Sequence, residues 1–177
     1  MKVMNQICIS RLDKMGDMIL SLPIIKAIKV ANPSTQICVL ASHRNAKVLE
    51  NISYIDEIFV INTNSKIRTI FKKLFIIRKF NFDFYINLSP TFLSYFFCFF
   101  SKAKNKATLI FLSRYKKPVY SKLLVRIFSN IFCNYVHTIS RYAKLKNNED
   151  IHQTKMIFDL TFFNINHLGF MYLSTSN

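Results

Sequence analysis

The stretch NQICISRLDKMGDMILSLPIIKAIKVAN, residues 5–32, decides the fold. It opens with a short apolar run at 5–11 that is rich in β-branched residues, which predicts a buried strand. Residues 16–32 follow as an amphipathic helix, because apolar side chains recur at helical spacing. These apolar positions are Ile19, Leu22, Ile25 and Ile28. Pro23 lies inside this helix and is expected to kink it.

Strand and helix continue to alternate along the chain. Further strands are predicted at 35–42, 57–62, 82–89 and 106–112. Helices are predicted at 44–52, 66–80, 90–103, 118–134 and 149–163. We expect Ser65 to cap the helix at 66–80 and Pro90 to open the next one. Such alternation predicts an α/β protein, a Rossmann-like, five-stranded parallel sheet with helices on both faces.

Gly16 and Asp17 form the first candidate site. Gly16 is one of only two glycines in the chain, and it follows the first strand. Ligands bind at the carboxyl ends of the strands in an open parallel sheet, and a glycine there permits a tight turn or the close approach of a ligand. Asp17 either complements the dipole of the helix or acts as a general base open to solvent. The residues alone leave both roles open.

Other chemistry-bearing patterns are missing from the sequence. It contains neither GxGxxG nor GxxxxGK[ST], so a nicotinamide dinucleotide or P-loop site has no support. The four cysteines are widely spaced in apolar runs and form no CxxC, which predicts buried free thiols rather than a metal site. We therefore expect no metal and no cofactor.

The positive charge of the chain is unevenly distributed. Residues 1–64 carry seven basic and five acidic residues, whereas residues 65–177 carry 18 basic and four acidic ones. A basic surface of this kind attracts phosphate on nucleic acid, anionic lipid or a phosphorylated sugar, although it is also compatible with a simple solvated face. Nucleic acid is the least favoured partner, because the basic residues lie mostly on predicted helices and the aromatic run at 95–100 is typical of helix packing.

The uncharged stretch at 84–101 is close to the length of a membrane span. Asn87, Ser89 and Pro90 interrupt it, so we interpret it as a strand followed by a helix. Charges between Arg11 and Asp17 likewise interrupt the apolar N-terminus, and no signal peptide is expected.

Several ordered segments resemble a known family. Residues 7–40 contain a strand, a turn ending in Gly-Asp and a helix with Leu-Pro and Ala-Ile-Lys. The pattern continues in three later segments, NISYIDEIFVIN (51–62), FNFDFYINLSPTFLSYFFCFFSKAKNKATLIF (80–111) and IHQTKMIFDL (151–160). Over residues 3–163 the chain resembles glycosyltransferase family 9, the bacterial lipopolysaccharide heptosyltransferases. It departs from the family at Ser53, where a proline is usual.

The resemblance implies a fold, a reaction and a set of site residues. Residues 1–163 would be the N-terminal, acceptor-side half of a GT-B enzyme that inverts the anomeric centre without a catalytic metal, and 164–177 a tail. Asp17 matches the catalytic base of the family. Gly16, Met15, Lys14 and Asp13 would contact the acceptor, although Asp13 and Lys14 stand where many members have small or polar residues. His152 matches a histidine of the family and equally suits capping or packing.

The resemblance also implies partners. The donor, ADP-heptose, is expected to bind in a second domain. The chain is therefore expected to be a truncated or split form that is inactive alone. A second chain is expected to carry the donor-binding domain. The acceptor would be a lipid-linked phosphorylated sugar of the lipopolysaccharide core. We expect a cytoplasmic protein, peripheral on the anionic inner face of the bacterial inner membrane. The alternatives are a non-catalytic module that binds acceptor or membrane and a basic nucleic-acid-binding protein.

Overall fold

The computed structural model describes residues 5–89, 91–111 and 119–139. Its strands are β1 (Gln6–Arg11), β2 (Gln36–Ser42), β3 (Glu57–Ile61), β4 (Phe84–Asn87), β5 (Asn105–Phe111) and β6 (Tyr135–Ile139). Its helices are α1 (Met15–Ala31), α2 (His43–Ala46), α3 (Ile67–Arg78), α4 (Phe92–Phe100) and α5 (Val119–Phe132). A 3₁₀ turn at Lys47–Leu49 follows α2. The predicted helix at 149–163, the tail and His152 lie outside the described residues.

The strands form one six-stranded, entirely parallel sheet in the order β3-β2-β1-β4-β5-β6. β1 lies in the middle, with Cys8 opposite Cys38 of β2 on one side and opposite Tyr85 of β4 on the other. The Rossmann-like α/β prediction is confirmed. The strand order reverses between β1 and β4, and a crevice for ligands lies at such a point in open parallel sheets.

Helices cover both faces of the sheet, as predicted. Alternate residues of the central strands face opposite sides, so Ile7 and Ile9 of β1 pack with α1 while Cys8 packs with α3 and α4. Phe99 of α4 in turn stacks on Phe132 of α5, with ring centroids 4.9 Å apart. α3, α4 and α5 therefore form one layer, opposite α1 and α2.

α1 differs from its predicted pattern in one respect. Its buried stripe runs through Met18, Ser21, Ile25 and Ile28, whereas Ile19 is exposed. Ser21 fits because its hydroxyl donates to the carbonyl oxygen of Asp17 at 2.8 Å. The helix continues through the exposed Pro23 to Ala31. The kink at Pro23 stays a prediction.

Three local predictions are wrong. The sheet has a sixth strand, β6, which was missed because no Gly or Pro separates it from α5 and its short run contains the polar His137 and Thr138. Ser65 does not cap α3, whose N-cap is Lys66 without a side-chain bond. α4 begins after Thr91, which forms a capping box with Ser94, instead of at Pro90.

α3 buries only part of its predicted apolar stripe. Leu74 and Ile77 lie in the core, whereas Ile67 and Phe71 are exposed. No helix in the described part of the chain is long and apolar enough to cross a membrane. The uncharged stretch at 84–101 contains β4 and α4, as predicted.

All four cysteines are buried free thiols, as predicted. The sulfur atoms of Cys98 and Cys133 lie 3.8 Å apart. Burial raises the pKa of the Cys8 and Cys98 thiols well above the usual value, which keeps them protonated and unreactive.

Candidate functional site

The Gly-Asp turn lies at the carboxyl edge of the sheet, beside the point where the strand order reverses. β1 ends at Arg11 and α1 begins at Met15, so only 12–14 connect them. β4, the neighbour of β1 across the reversal, ends at Asn87. The predicted site therefore occupies the position where parallel sheets bind ligands.

A fully buried arginine organises this turn. The Arg11 side chain has no exposed surface, and its Nε lies 3.1 Å from Oδ1 of Asp13. Its Nη2 lies 3.4 Å from Oδ1 of Asp17, and its Nη1 donates to the carbonyl oxygen of Leu88. One guanidinium thus joins the end of β1, the first turn of α1 and the segment after β4. Burial of a guanidinium requires such partners, because isolated buried charge is strongly unfavourable.

Neutral groups strengthen the same junction. The N–H of Leu12 donates to Oγ of Ser89 at 2.6 Å, and that hydroxyl donates to Oδ1 of Asp13 at 2.9 Å. Asn45 of α2 donates through Nδ2 to the carbonyl oxygen of Arg11 at 3.0 Å. The turn after β1 is consequently fixed from the β4 side and from the α2 side.

Asp13 has an altered proton affinity. Burial raises the pKa of its carboxyl above the usual value of 3.8, and the neighbouring carboxylate of Asp17 raises it further. The Arg11 guanidinium and the Ser89 hydroxyl act in the opposite direction, and burial prevails. The Asp13 side chain is largely buried as a partner of Arg11. Its role as an acceptor contact stays a prediction.

Asp17 lies in the first turn of α1, as predicted, but is not open to solvent. Its side chain is only 12% exposed, because it faces Arg11. That part of the prediction is wrong. The carboxylate is held at the carboxyl edge of the sheet, and its role as a general base stays a prediction.

Gly16 has no structural reason to be glycine within the described fold. A Cβ built at this position meets no atom within 4 Å, and the residue faces solvent. The tight-turn explanation is therefore wrong, since the backbone is helical here. A molecule approaching from outside is the remaining predicted reason for the missing side chain.

The predicted site residues divide into two groups. Lys14, Met15 and Gly16 face solvent, whereas Asp13 and Asp17 face the buried Arg11. Sequence reasoning missed Arg11 and Ser89 as parts of the site. A charged residue ending an apolar strand was the available signal for Arg11. It also missed Phe92, the first residue of α4, whose ring is 86% exposed at the same sheet edge.

A small cavity lies further along the same edge, at the end of β3. Its volume is about 170 Å³. It is lined by Val60, Ile61, Asn62, Ser65, Thr69, Ile70 and Lys73. Within 5–89, 91–111 and 119–139, no three His, Cys, Asp or Glu side chains come together as a metal site would require.

The fold is Rossmann-like, and it is similar to one half of several solved glycosyltransferase and epimerase structures. A glycosyl transferase family 9 structure from Veillonella parvula matches with a TM-score of 0.66 and 18% identity, covering 89% of this chain and 40% of that one. E. coli heptosyltransferase WaaC, solved with ADP, matches with a TM-score of 0.63 and 16% identity, covering 97% and 50%. A putative UDP-N-acetylglucosamine 2-epimerase from Listeria monocytogenes matches with a TM-score of 0.56 and 15% identity, covering 84% and 43%.

The resemblance to glycosyltransferase family 9 is thus confirmed in the fold. The chain spans about half the length of these neighbours or less. No protein-family model and no curated protein sequence matches it.

Proposed function

We propose that the chain is the acceptor-side half of a glycosyltransferase that resembles the lipopolysaccharide heptosyltransferases. The observation that carries the proposal is the buried Arg11, which holds Asp17 at the strand-order reversal of the sheet. This is the edge at which an open parallel sheet binds ligands, and the fold neighbours include heptosyltransferases.

In the proposed reaction, Asp17 is the general base. It accepts the proton of an acceptor hydroxyl while that oxygen bonds to the anomeric carbon of the donor. The bond from the anomeric carbon to the diphosphate breaks, and its electron pair leaves with the nucleoside diphosphate. Arg11 fixes Asp17 in position, because its guanidinium lies 3.4 Å from the Asp17 carboxylate and is itself held by the carbonyl oxygen of Leu88. Such positioning is what a weak base requires.

The exposed residues of the turn are proposed to contact the acceptor. Gly16 lets the sugar approach the backbone, and Lys14 and Met15 flank it with a cation and an apolar surface. The exposed ring of Phe92 offers a second apolar surface at this edge. We propose a phosphorylated, lipid-linked sugar of the lipopolysaccharide core as the acceptor, which places the protein on the cytoplasmic side of the inner membrane.

Transfer also requires a donor site, and we propose ADP-heptose as the donor. The resemblance assigns that site to a second Rossmann-like domain, which a second chain would supply. One heptosyltransferase with a similar fold was solved with ADP, and this supports the proposal of an ADP-linked donor.

The burial of Asp17 favours one alternative, a binding module without catalysis. In this alternative Arg11 only stabilises the turn. The chain then binds the acceptor but transfers no sugar, even when a donor-binding domain is present. Nucleic-acid binding has no comparable support from the geometry.

A reconstitution assay separates the enzyme from the binding module. The 177-residue chain alone is expected to transfer no heptose from ADP-heptose to the acceptor. Mixed with a separately produced second domain of a heptosyltransferase, the chain should transfer, and Asp17→Asn should abolish that activity. Glu57→Gln, a change at the exposed first residue of β3 on the opposite edge of the sheet, should leave it intact. Transfer by the Asp17→Asn mixture would refute the base role. Absence of transfer in every mixture, with acceptor binding retained, would support the binding module.

A further inference from the structure

The helix layer formed by α3, α4 and α5 carries a connected row of phenylalanines. The ring of Phe71 lies 5.5 Å from Phe96, which lies 5.1 Å from Phe100. Phe100 lies 6.0 Å from Phe132, and Phe132 lies 6.2 Å from Phe128. We call these five residues the phenylalanine row. It joins all three helices across the layer.

The phenylalanine row is open to the outside. Phe71, Phe100 and Phe128, one on each helix, are 42%, 44% and 46% exposed. Further large apolar side chains on α3 and α5 are also exposed, namely Ile67, Phe75, Ile76, Leu123, Ile127 and Ile131. Phenylalanine is normally among the most buried residues, and a contiguous exposed apolar patch marks a surface that meets another apolar phase.

The charge of the same three helices has one sign only. Their sequences contain no Asp or Glu, and their basic residues are Arg68, Lys72, Lys73, Arg78, Lys122 and Arg126. Arg68, Lys72 and Arg126 are exposed beside the apolar patch. α1, on the opposite side of the sheet, differs, because it contains Asp17 and its Lys29 is paired with Asp56.

Exposed aromatic rings beside exposed positive charges match the chemistry of one partner, the anionic surface of a lipid bilayer. Aromatic side chains partition into the region between headgroups and acyl chains, and cations bind the lipid phosphates. Single-stranded nucleic acid is a poorer match, because the rings of Phe128 and Phe132 stack on each other with 9° between their planes instead of standing apart for bases.

We propose that the layer of α3, α4 and α5 docks on an anionic bilayer, with the exposed phenylalanines inserted and the cations on the lipid phosphates. The proposal adds a docking surface to the function above and requires neither Asp17 nor transfer. α3 and α4 begin just after the carboxyl ends of β3 and β4. Docking of this layer therefore holds the carboxyl edge of the sheet, with the Gly-Asp turn, beside the membrane.

Sedimentation with vesicles tests the docking. The 177-residue chain is mixed with vesicles of phosphatidylglycerol and phosphatidylcholine, or of phosphatidylcholine alone, at low and high salt. We expect binding to the anionic vesicles that weakens with salt. The double variant Arg68→Gln, Lys72→Gln should bind about 25-fold more weakly, at about fivefold for each charge near the surface. Phe75→Ser should weaken binding about tenfold through lost insertion.

Matched controls lie on the other face of the molecule. Lys26→Gln with Lys47→Gln removes two exposed charges there, and Val30→Ser removes an exposed apolar side chain, so neither should change binding. Circular dichroism confirms that each variant is folded. Equal weakening by both charge pairs, or binding insensitive to lipid charge and salt, would overturn the proposal. Binding of single-stranded RNA through Arg68 and Lys72 without vesicle binding would overturn it as well, whatever the outcome of the transfer assay.

Discussion

The guanidinium of Arg11 lies 3.1 Å from the carboxylate of Asp13, and the arginine side chain has no exposed surface. It also lies 3.4 Å from the carboxylate of Asp17. A charged residue at the end of a core strand thus fixes both acids of the turn on which the proposed function depends.

Arg11→Met should destabilise the fold. The substitution leaves two carboxylates buried without their cation, and breaking a buried ion pair in this way costs about 3–5 kcal/mol. Urea denaturation at neutral pH measures the loss. The double variant Arg11→Met, Asp13→Asn should recover part of it, because one of the two buried charges is gone. A single variant as stable as the wild type would show that the guanidinium does not hold the turn.

Asp13→Asn should change how stability depends on pH. Burial raises the pKa of Asp13 in the folded protein above 3.8, so the folded state binds its proton more tightly than the unfolded state does. Asp13 therefore adds stability as the pH falls through its raised pKa in the folded state. The gain is complete below its pKa in the unfolded state. Asn removes that gain. Denaturation curves between neutral and acidic pH should show the variant at least as stable as the wild type at pH 7 and relatively less stable in acid.

Asp83→Asn should have the opposite pH signature. Burial raises the pKa of Asp83, but the Lys104 ammonium at 2.6 Å and the N–H groups of Asn5 and Gln6 outweigh it and hold the pKa below 3.8. The stability that Asp83 contributes is present above its pKa in the unfolded state. It is lost as the pH falls through the lower pKa of Asp83 in the folded state.

Asp83→Asn is accordingly expected to cost about 1–2 kcal/mol at pH 7. The cost should disappear in strong acid, where both folded and unfolded forms are protonated. Glu50→Gln, at an exposed acid, is the control. An equal cost at every pH would mean that the charge of Asp83 has no part in it.

Gly16 should lower the stability of the fold and be necessary for binding of the acceptor. Gly16→Ala is expected to stabilise the chain by about 0.5 kcal/mol, because alanine favours the helix and its Cβ meets nothing. Gly16→Leu should weaken binding of a water-soluble, phosphorylated core oligosaccharide at least tenfold in calorimetry, since the side chain would occupy the space of the sugar. Lys26→Leu, at another exposed position of α1, should bind normally. Normal binding by Gly16→Leu would place the acceptor elsewhere.

The sequence predicted the order of elements from β1 to β5 because apolar periodicity is local and strong there. β6 escaped because its run of five residues, YVHTI, is short and contains the polar His137 and Thr138, which weakens the apolar signal of the strand. The starts of α3 and α4 were predicted at the wrong residues, Ser65 and Pro90, because residue type alone does not decide which residue caps a helix. A cap is a matter of side-chain geometry, and Thr91 with Ser94 supplies it for α4.

The site was only partly predictable. Gly16 and Asp17 are neighbours in the sequence and could be placed at the carboxyl edge of the sheet. The hydrogen bond between Ser89 and Asp13 joins residues 76 positions apart, so no local pattern reveals it. The burial of Asp17 likewise depends on Arg11, whose partners are set by the packing of β4 beside β1. Periodicity predicted the apolar stripe of α3, but it could not tell which of its residues meet the sheet and which face outward.

The most direct measurement for the central claim is a nuclear magnetic resonance titration of the ¹⁵N-labelled chain with the phosphorylated core oligosaccharide. The amide signals of Lys14, Met15, Gly16 and Asp17 should shift, together with those of Ser89 and Phe92, while those of the distant α1 residue Lys26 should stay in place. Shifts confined to the basic residues of α3, or no shifts at saturating oligosaccharide, would contradict an acceptor site at the Gly-Asp turn.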